Sequence, residues 1–130
     1  MVRVTDNAHL LARIDTSRPH TARISNYWTG GKDNYEVDRE AGDQIRRLHP
    51  GIGDYAVADR LFLGRSVHHL AADVGIRQFL DIGTGLPSAD NTHEVAQRAA
   101  ADARIVYVDN DPLEIAHARA LLISTPDAFA

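Results

Sequence analysis

The sequence contains no cysteine, and this absence excludes disulfide bonds, thiolate catalysis and zinc–thiolate sites from its 130 residues. It has no apolar run approaching the roughly 20 residues that span a bilayer, and Met1–Arg13 lacks a signal-peptide pattern. It also lacks an excess of basic residues, since 14 Lys and Arg stand against 18 Asp and Glu. We therefore expect a cytoplasmic protein with no membrane association, and a dedicated nucleic-acid binder is disfavoured.

The composition that remains is ordinary for a globular domain, with 44% hydrophobic and 25% charged residues. A chain of this length can bury one modest core. Three regions are expected from the pattern of polar, helical and strand-like segments: a polar leader over residues 1–18, a helical region over 19–75, and an alternating strand and helix region over 76–130.

Apolar residues at helical spacing predict three helices within residues 19–75. Their expected bounds are Pro19–Trp28, a second helix capped by Asp33 or Asn34 that ends near Leu48, and Tyr55–Val74 followed by Gly75 as a stop. The third helix is expected to carry Phe62, Leu63, Val67, Leu70 and Val74 on one face.

The runs Gln78–Ile82 and Arg104–Val108 have the length and flanking turn residues of buried parallel strands. Between them, Asn91 and Glu94 have the spacing of a capping box for a helix that ends near Ala101. A second capping signal begins at Asp111, before a helix ending near Ile123. Two strands make an incomplete parallel sheet, so either the chain is a fragment or its partner strands come from elsewhere.

The strand ends carry a candidate cofactor site. Asp81 precedes Gly83 and Gly85 after the first strand, and Asp109 follows the second. Glycines let the backbone approach a ligand, and an acid at the next strand end can accept ribose hydroxyls. A carboxylate at Asp81 suits a ligand with a cationic amino group and would repel a pyrophosphate. This favours S-adenosylmethionine, although a loose match to the NAD fingerprint keeps NAD as an alternative.

Simpler interpretations remain open for several of these residues. Asp81 could cap the following turn, the glycines could serve only that turn, and Asp111 is favoured as a helix cap. Asn110 is a candidate for the adenosine pocket, whereas His93 at a helix start is favoured as a surface or capping residue. In the loop Gly30–Tyr35, caps explain the glycines and Asn34 but leave Lys32 without a role.

Taken together, these motifs resemble the S-adenosyl methyltransferase family that was once a domain of unknown function. The resemblance extends from about Asp15 to Leu122. It is carried by Arg18-Pro19-His20, Ala22-Arg23, Gly30–Tyr35, Asp38-Arg39, Arg77–Pro87, His93–Ala96 and Val106–Pro112.

The resemblance implies an α/β fold, the N-terminal portion of a Rossmann-like class I methyltransferase. A helical cover over residues 19–75 would precede a β-α-β-α unit with an incomplete sheet. Asp81, Gly83 and Gly85 would hold the methionine end of S-adenosylmethionine, Asp109 the ribose, and Asn110 would lie beside the adenosine. In the same resemblance, Lys32 and Asn34 belong to the cover over the cofactor. Family members have about twice this length, which places the activity of this chain alone in question.

We therefore expect an S-adenosylmethionine-dependent methyltransferase, as an N-terminal fragment. The alternatives are a truncated, non-catalytic remnant that binds the cofactor and, less favoured, an NAD-binding module. The sequence identifies neither a general base nor the methyl acceptor, although a small molecule is favoured over nucleic acid. It indicates no metal site and does not define the oligomeric state.

Overall fold

The computed structural model describes residues 14–114 and residue 116, and these divide between two compact units. One unit is Asp15–Leu61, and the other contains Ile14 and the described residues from Phe62 onward. None of the described helices is both long and apolar enough to cross a membrane. The division falls within a long helix rather than at a loop.

The unit Asp15–Leu61 contains helix α1 (Thr21–Trp28), helix α2 (Glu36–Leu48) and the first half of helix α3 (Ile52–Ala72). Helix α2 begins after Tyr35, so the prediction of a cap at Asp33 or Asn34 is wrong. The physical reason is the side chain of Asp38, which accepts a hydrogen bond from the Tyr35 N–H at 2.9 Å and closes the first turn from inside the helix.

A buried ion pair joins α1 to α2. Arg23 and Asp38 have side chains that are 4% and 0% exposed, and Nε of the arginine lies 3.3 Å from the carboxylate. The other carboxylate oxygen accepts the His20 N–H at 2.9 Å, and the guanidinium donates to the carbonyls of Asp15 and Arg18. Burial removes both charges from water, which is unfavourable. Their attraction for each other and these additional hydrogen bonds offset that cost.

The second unit contains strand β1 (Gln78–Ile82), helix α4 (Thr92–Ala99) and strand β2 (Arg104–Val108). The strands pair in parallel, with Gln78 opposite Arg104 and Ile82 opposite Val108. Both predicted strands are confirmed to the residue, as is the alternating α/β fold class. A further helix starts at Pro112, and its predicted end near Ile123 lies outside the described residues.

One face of the sheet packs against α3 and α4. The buried core is made of small and branched residues, namely Val67, Ala71, Val95, Ala96, Ala100, Ala103 and Ile105. The apolar residues predicted on one face of α3 are only partly covered, since Phe62 is 61% exposed, and Val74, which is 56% exposed, lies beyond the end of the helix at Ala72. The alanines at the contacts let the helices approach the sheet closely. The sheet covers the part of α3 around Val67 and Ala71, and Phe62 lies outside that part.

The opposite face of the sheet is apolar and uncovered among the described residues. Leu80 and Ile82 of β1 are 63% and 72% exposed, and Val106 and Val108 of β2 are 44% and 45% exposed. Alternation along a strand sends successive side chains to opposite faces, so these four form one surface. A parallel sheet is normally buried on both sides, and the exposed face therefore agrees with the prediction of an incomplete sheet.

Candidate functional site

A glycine turn directly follows β1. Gly83 and Gly85 have φ angles of +71° and +73°, in the left-handed region where a side chain is strained. A Cβ built on either glycine would meet no heavy atom within 4 Å, so packing against neighbouring protein is not the reason for glycine. The backbone conformation requires these residues, and the surface in front of them is open to close approach.

Asp109, at the end of β2, is tied directly to this turn. Its Oδ2 accepts the Gly85 N–H at 3.2 Å, and its Oδ1 accepts the Asp111 N–H at 2.9 Å. The ladder also continues past β1, because the Gly83 N–H donates to the Val108 carbonyl at 2.8 Å. The turn and the strand-end carboxylate, which are 24 residues apart, therefore form one site.

Asp81 points towards the start of α4 in the same unit. Its Oδ2 accepts the Thr92 hydroxyl hydrogen at 2.6 Å, while its carbonyl accepts a weaker bond from the Thr84 hydroxyl at 3.3 Å. The carboxylate therefore has a structural partner, as the simpler interpretation allows. One bond to Thr92 occupies a single oxygen, so acceptor capacity for a cationic group remains on this carboxylate.

Glu114 is the residue of this site that the sequence did not reveal. It lies in the first turn after Asp111, is 2% exposed, and is close enough to Asp109 for that side chain to act on its pKa. In the sequence, the capping signal that begins at Asp111 was enough to explain an acidic residue at position 114. The cap is present in the structure, since Asp111 accepts the Leu113 N–H at 3.0 Å. No pattern in the sequence distinguishes a buried acid at this position from an exposed one.

The two acids have opposite electrostatic behaviour. Burial, then the hydrogen bond and charge of Asp109 and the charge of Asp111, raise the pKa of Glu114 to about 9. Burial by itself would raise the pKa of Asp109. The hydrogen bonds from Glu114 and from nearby backbone N–H groups outweigh burial, so the pKa of Asp109 is lowered. At neutral pH the site therefore contains a neutral Glu114 beside an ionised Asp109.

His93 is buried rather than at the surface, which corrects the simpler expectation. It is 5% exposed, and the Tyr107 hydroxyl accepts its backbone N–H at 2.8 Å and lies 2.8 Å from its Nδ1. Burial lowers the pKa of His93, with a smaller opposing effect from Glu94. A neutral ring can accept the Tyr107 hydroxyl hydrogen at Nδ1, so this pair fixes the start of α4 against β2.

Asn110 follows Asp109 and is exposed. Lys32 and Asn34 belong to the unit Asp15–Leu61 and are described here within it. The Asn34 amide donates to Asn26 Oδ1 at 2.8 Å and to the Gly31 carbonyl at 3.0 Å, so it holds its own loop closed. Lys32 is exposed and makes no hydrogen bond or ion pair with the described residues.

The turn, the strand order and the strand-end acid together define a class of protein. Ligands of open parallel sheets bind outside the carboxyl ends of the strands, where backbone can approach them and a carboxylate can accept ribose hydroxyls. Gly83, Gly85 and Asp109 have this arrangement, and the open surface before the glycines fits a cofactor in close contact with backbone. The second unit therefore has the arrangement that is typical of nucleotide-cofactor-binding α/β units.

Comparison with known proteins identifies the family. The model of the S-adenosyl methyltransferase family matches residues 7–130, and the chain belongs to this family. It is similar to a solved DUF574 family protein from Streptomyces avermitilis MA-4680, with 50% identity and a TM-score of 0.85. It is also similar to a Thermobifida fusca YX protein, described provisionally as a methyltransferase, with 48% identity and a TM-score of 0.84. No curated protein matches the chain.

The chain spans under half the length of these two solved relatives. The alignments cover 91% and 88% of this chain but only 46% and 43% of theirs. The predicted correspondence to the N-terminal portion of such a methyltransferase is thereby confirmed, and the family membership implies S-adenosylmethionine as the cofactor.

Proposed function

We propose that this chain supplies the S-adenosylmethionine-binding portion of a methyltransferase. The observation that carries the proposal is the hydrogen bond from the Gly85 N–H to Asp109, which joins the glycine turn to the strand-end acid. Asp109 accepts a ribose hydroxyl, the turn Gly83–Gly85 contacts the methionine end, and Asp81 accepts from its amino group. Asn110 lies beside the adenosine. When bound, S-adenosylmethionine supplies a methyl group activated by its sulfonium.

The chain's own contribution is to bind and orient the cofactor. Transfer of a methyl group is an in-line displacement, in which fixed geometry can supply a large part of the rate enhancement. No general base is assigned. We propose a small-molecule acceptor rather than a nucleic acid, because the chain carries a formal net charge of −4.

A second candidate is a chain that binds the cofactor without transferring its methyl group. Two observations favour it, namely the coverage of 46% and 43% of the solved relatives and the exposed apolar face of the sheet. Binding and turnover measured on the same sample separate the two. Affinity for the cofactor without methyl transfer to any of a panel of small nucleophiles favours this candidate.

Calorimetric titration of the chain with S-adenosylhomocysteine tests the proposed site. Asp109→Asn removes the charge while keeping the shape, and we expect binding to weaken by about 1–3 kcal/mol. The matched control is Asp102→Asn, since Asp102 is an exposed acid of the same unit that pairs with Arg77 at 3.1 Å. We expect this control to bind as the wild type does.

Three outcomes contradict the proposed site. They are no binding by a sample whose circular dichroism shows it folded, equal weakening by both Asp variants, and displacement of the ligand by NAD. The predicted role of Lys32 in cofactor binding is tested separately with Lys32→Met. We expect weaker binding without loss of stability, whereas Arg47→Met on the exposed end of α2 should change neither.

A further inference from the structure

The carboxyl group of Glu114 is enclosed beside Asp109. The residue is 2% exposed, and neither of its carboxyl oxygens has a hydrogen-bond partner of full geometry among the described residues. The Gly85 N–H has a smaller effect that lowers the pKa of Glu114, and burial and the neighbouring acids outweigh it. A buried carboxylate without donors is costly, whereas a carboxylic acid needs only an acceptor for its proton. Asp109 is the candidate acceptor, because its hydrogen bond and its charge both raise the pKa of Glu114.

Asp109 differs from Glu114 in its exposure and in its hydrogen-bond partners. It is partly exposed, and both of its oxygens accept backbone N–H groups, from Gly85 and from Asp111. A carboxylate has about four acceptor positions, so these two bonds and the proton of Glu114 leave at least one position. Glu114 is enclosed and Asp109 is not, so only Asp109 is placed to contact a ligand.

The charges that act on Glu114 in its own unit come from Asp109 and Asp111, and both are acidic. They favour the neutral form of Glu114, as burial does. The first turn of the helix after β2 holds Glu114 in place, since Asp111 caps that turn through the Leu113 N–H. The donor therefore lies in a capped helical turn rather than in a loop.

We propose that Glu114 is a positioning residue for cofactor binding. As a neutral carboxylic acid it donates its proton to Asp109 and holds that carboxylate in the orientation that accepts a ribose hydroxyl. This inference rests on the proposed function, because it assigns Asp109 to the ribose. It also requires Gln at position 114 to be an adequate replacement, since an amide N–H can donate to Asp109 in the same way.

The test compares two ligands across three proteins by calorimetry. The ligands are S-adenosylhomocysteine and its 2′,3′-dideoxy analogue, which lacks the ribose hydroxyls, and the proteins are the wild-type chain, Glu114→Gln and Glu114→Leu. Glu114→Leu should bind S-adenosylhomocysteine about tenfold more weakly yet bind the dideoxy analogue within about twofold of wild type. Glu114→Gln should remain within about threefold of wild type for both. Equal losses for both ligands, or a Gln variant as impaired as the Leu variant, would overturn the inference.

A second measurement needs no ligand. In the chain labelled with ¹³C, we expect the Glu114 carboxyl carbon to keep the chemical shift of a neutral acid at neutral pH, and to ionise at lower pH in Asp109→Asn. An ionised Glu114 at neutral pH in the wild type overturns the inference whatever the binding result. A folded wild-type chain that binds neither ligand overturns the proposed function instead, so the two failures are distinguishable.

Discussion

The neutral Glu114 should make the stability of this chain fall as the pH rises. Its pKa is about 9 in the folded chain, against an ordinary value of 4.5 that applies when the chain is unfolded. Between these values the folded state holds a proton that the unfolded state has lost. The contribution of Glu114 to the free energy of unfolding is complete when the pH is below the pKa of the unfolded chain. It declines as the pH rises and is lost once the pH passes the pKa of the folded chain.

The size of the effect follows from proton linkage. One proton held only by the folded state lowers the free energy of unfolding by up to about 1.4 kcal/mol for each pH unit. Between about pH 7 and about pH 8.5 the loss is therefore at most about 2 kcal/mol. Asp109 and His93 have lowered pKa values, so their own contributions change below this interval.

Urea denaturation at the two pH values measures this directly. We expect the wild-type chain to lose up to about 2 kcal/mol and Glu114→Gln, which cannot ionise, to lose much less. Glu40→Gln alters an exposed acid on α2 and serves as the control, which should retain the wild-type slope. A wild-type chain as stable at the higher pH as at the lower, or a Gln variant with the same slope, would refute the reasoning.

Two further predictions concern stability, measured by urea denaturation at neutral pH. Asp38→Asn should cost about 3–5 kcal/mol, because it leaves the buried Arg23 without its counter-charge. The exposed Asp43→Asn is its control, and a loss below about 1 kcal/mol for Asp38→Asn would show the pair to be dispensable. Gly85→Ala should destabilise by about 1–2 kcal/mol because its φ is +73°. Gly64→Ala should instead stabilise the chain by about 0.5–1 kcal/mol, because Gly64 lies inside α3 and an added Cβ would meet no heavy atom within 4 Å. Effects of the same sign for the two glycine variants would contradict this account.

Local signals in the sequence were sufficient for the strands and for the approximate extent of the helices. The bounds of β1 and β2 are those predicted, and Gly75, with a φ of +83°, follows the end of α3 at Ala72. The box at Asn91 is present, with the Glu94 carboxylate accepting the Asn91 N–H at 2.8 Å. Each of these features depends on residues within a few positions of one another, which is why a single sequence reveals them.

The start of α2 was predicted wrongly, and the partial burial of α3 was not predicted. The cap at Tyr35 depends on Asp38, whose carboxylate is held in place by Arg23 from another helix. The exposure of Phe62 depends on which part of α3 the sheet covers. Both are decided by contacts between elements, which residue spacing along one element does not contain.

The candidate site also combines features that the sequence predicts with features that only the structure reveals. Gly83, Gly85 and Asp109 were identified from the sequence, because a glycine turn after one strand and an acid after the next have a recognisable spacing. Their proposed roles in binding stay predictions. The structure added the hydrogen bond between Gly85 and Asp109, and it placed Glu114 in the site.

The sequence by itself therefore determined the order of elements, the glycine turn and the resemblance to S-adenosyl methyltransferases, because these are encoded by neighbouring residues and by motifs. Only the tertiary structure decided that Glu114 is enclosed against Asp109 and that His93 is buried against Tyr107. An acidic residue in the first turn of a helix has the same local pattern whether it faces water or a second carboxylate. Its protonation state depends on the dielectric and the charges that the fold brings around it.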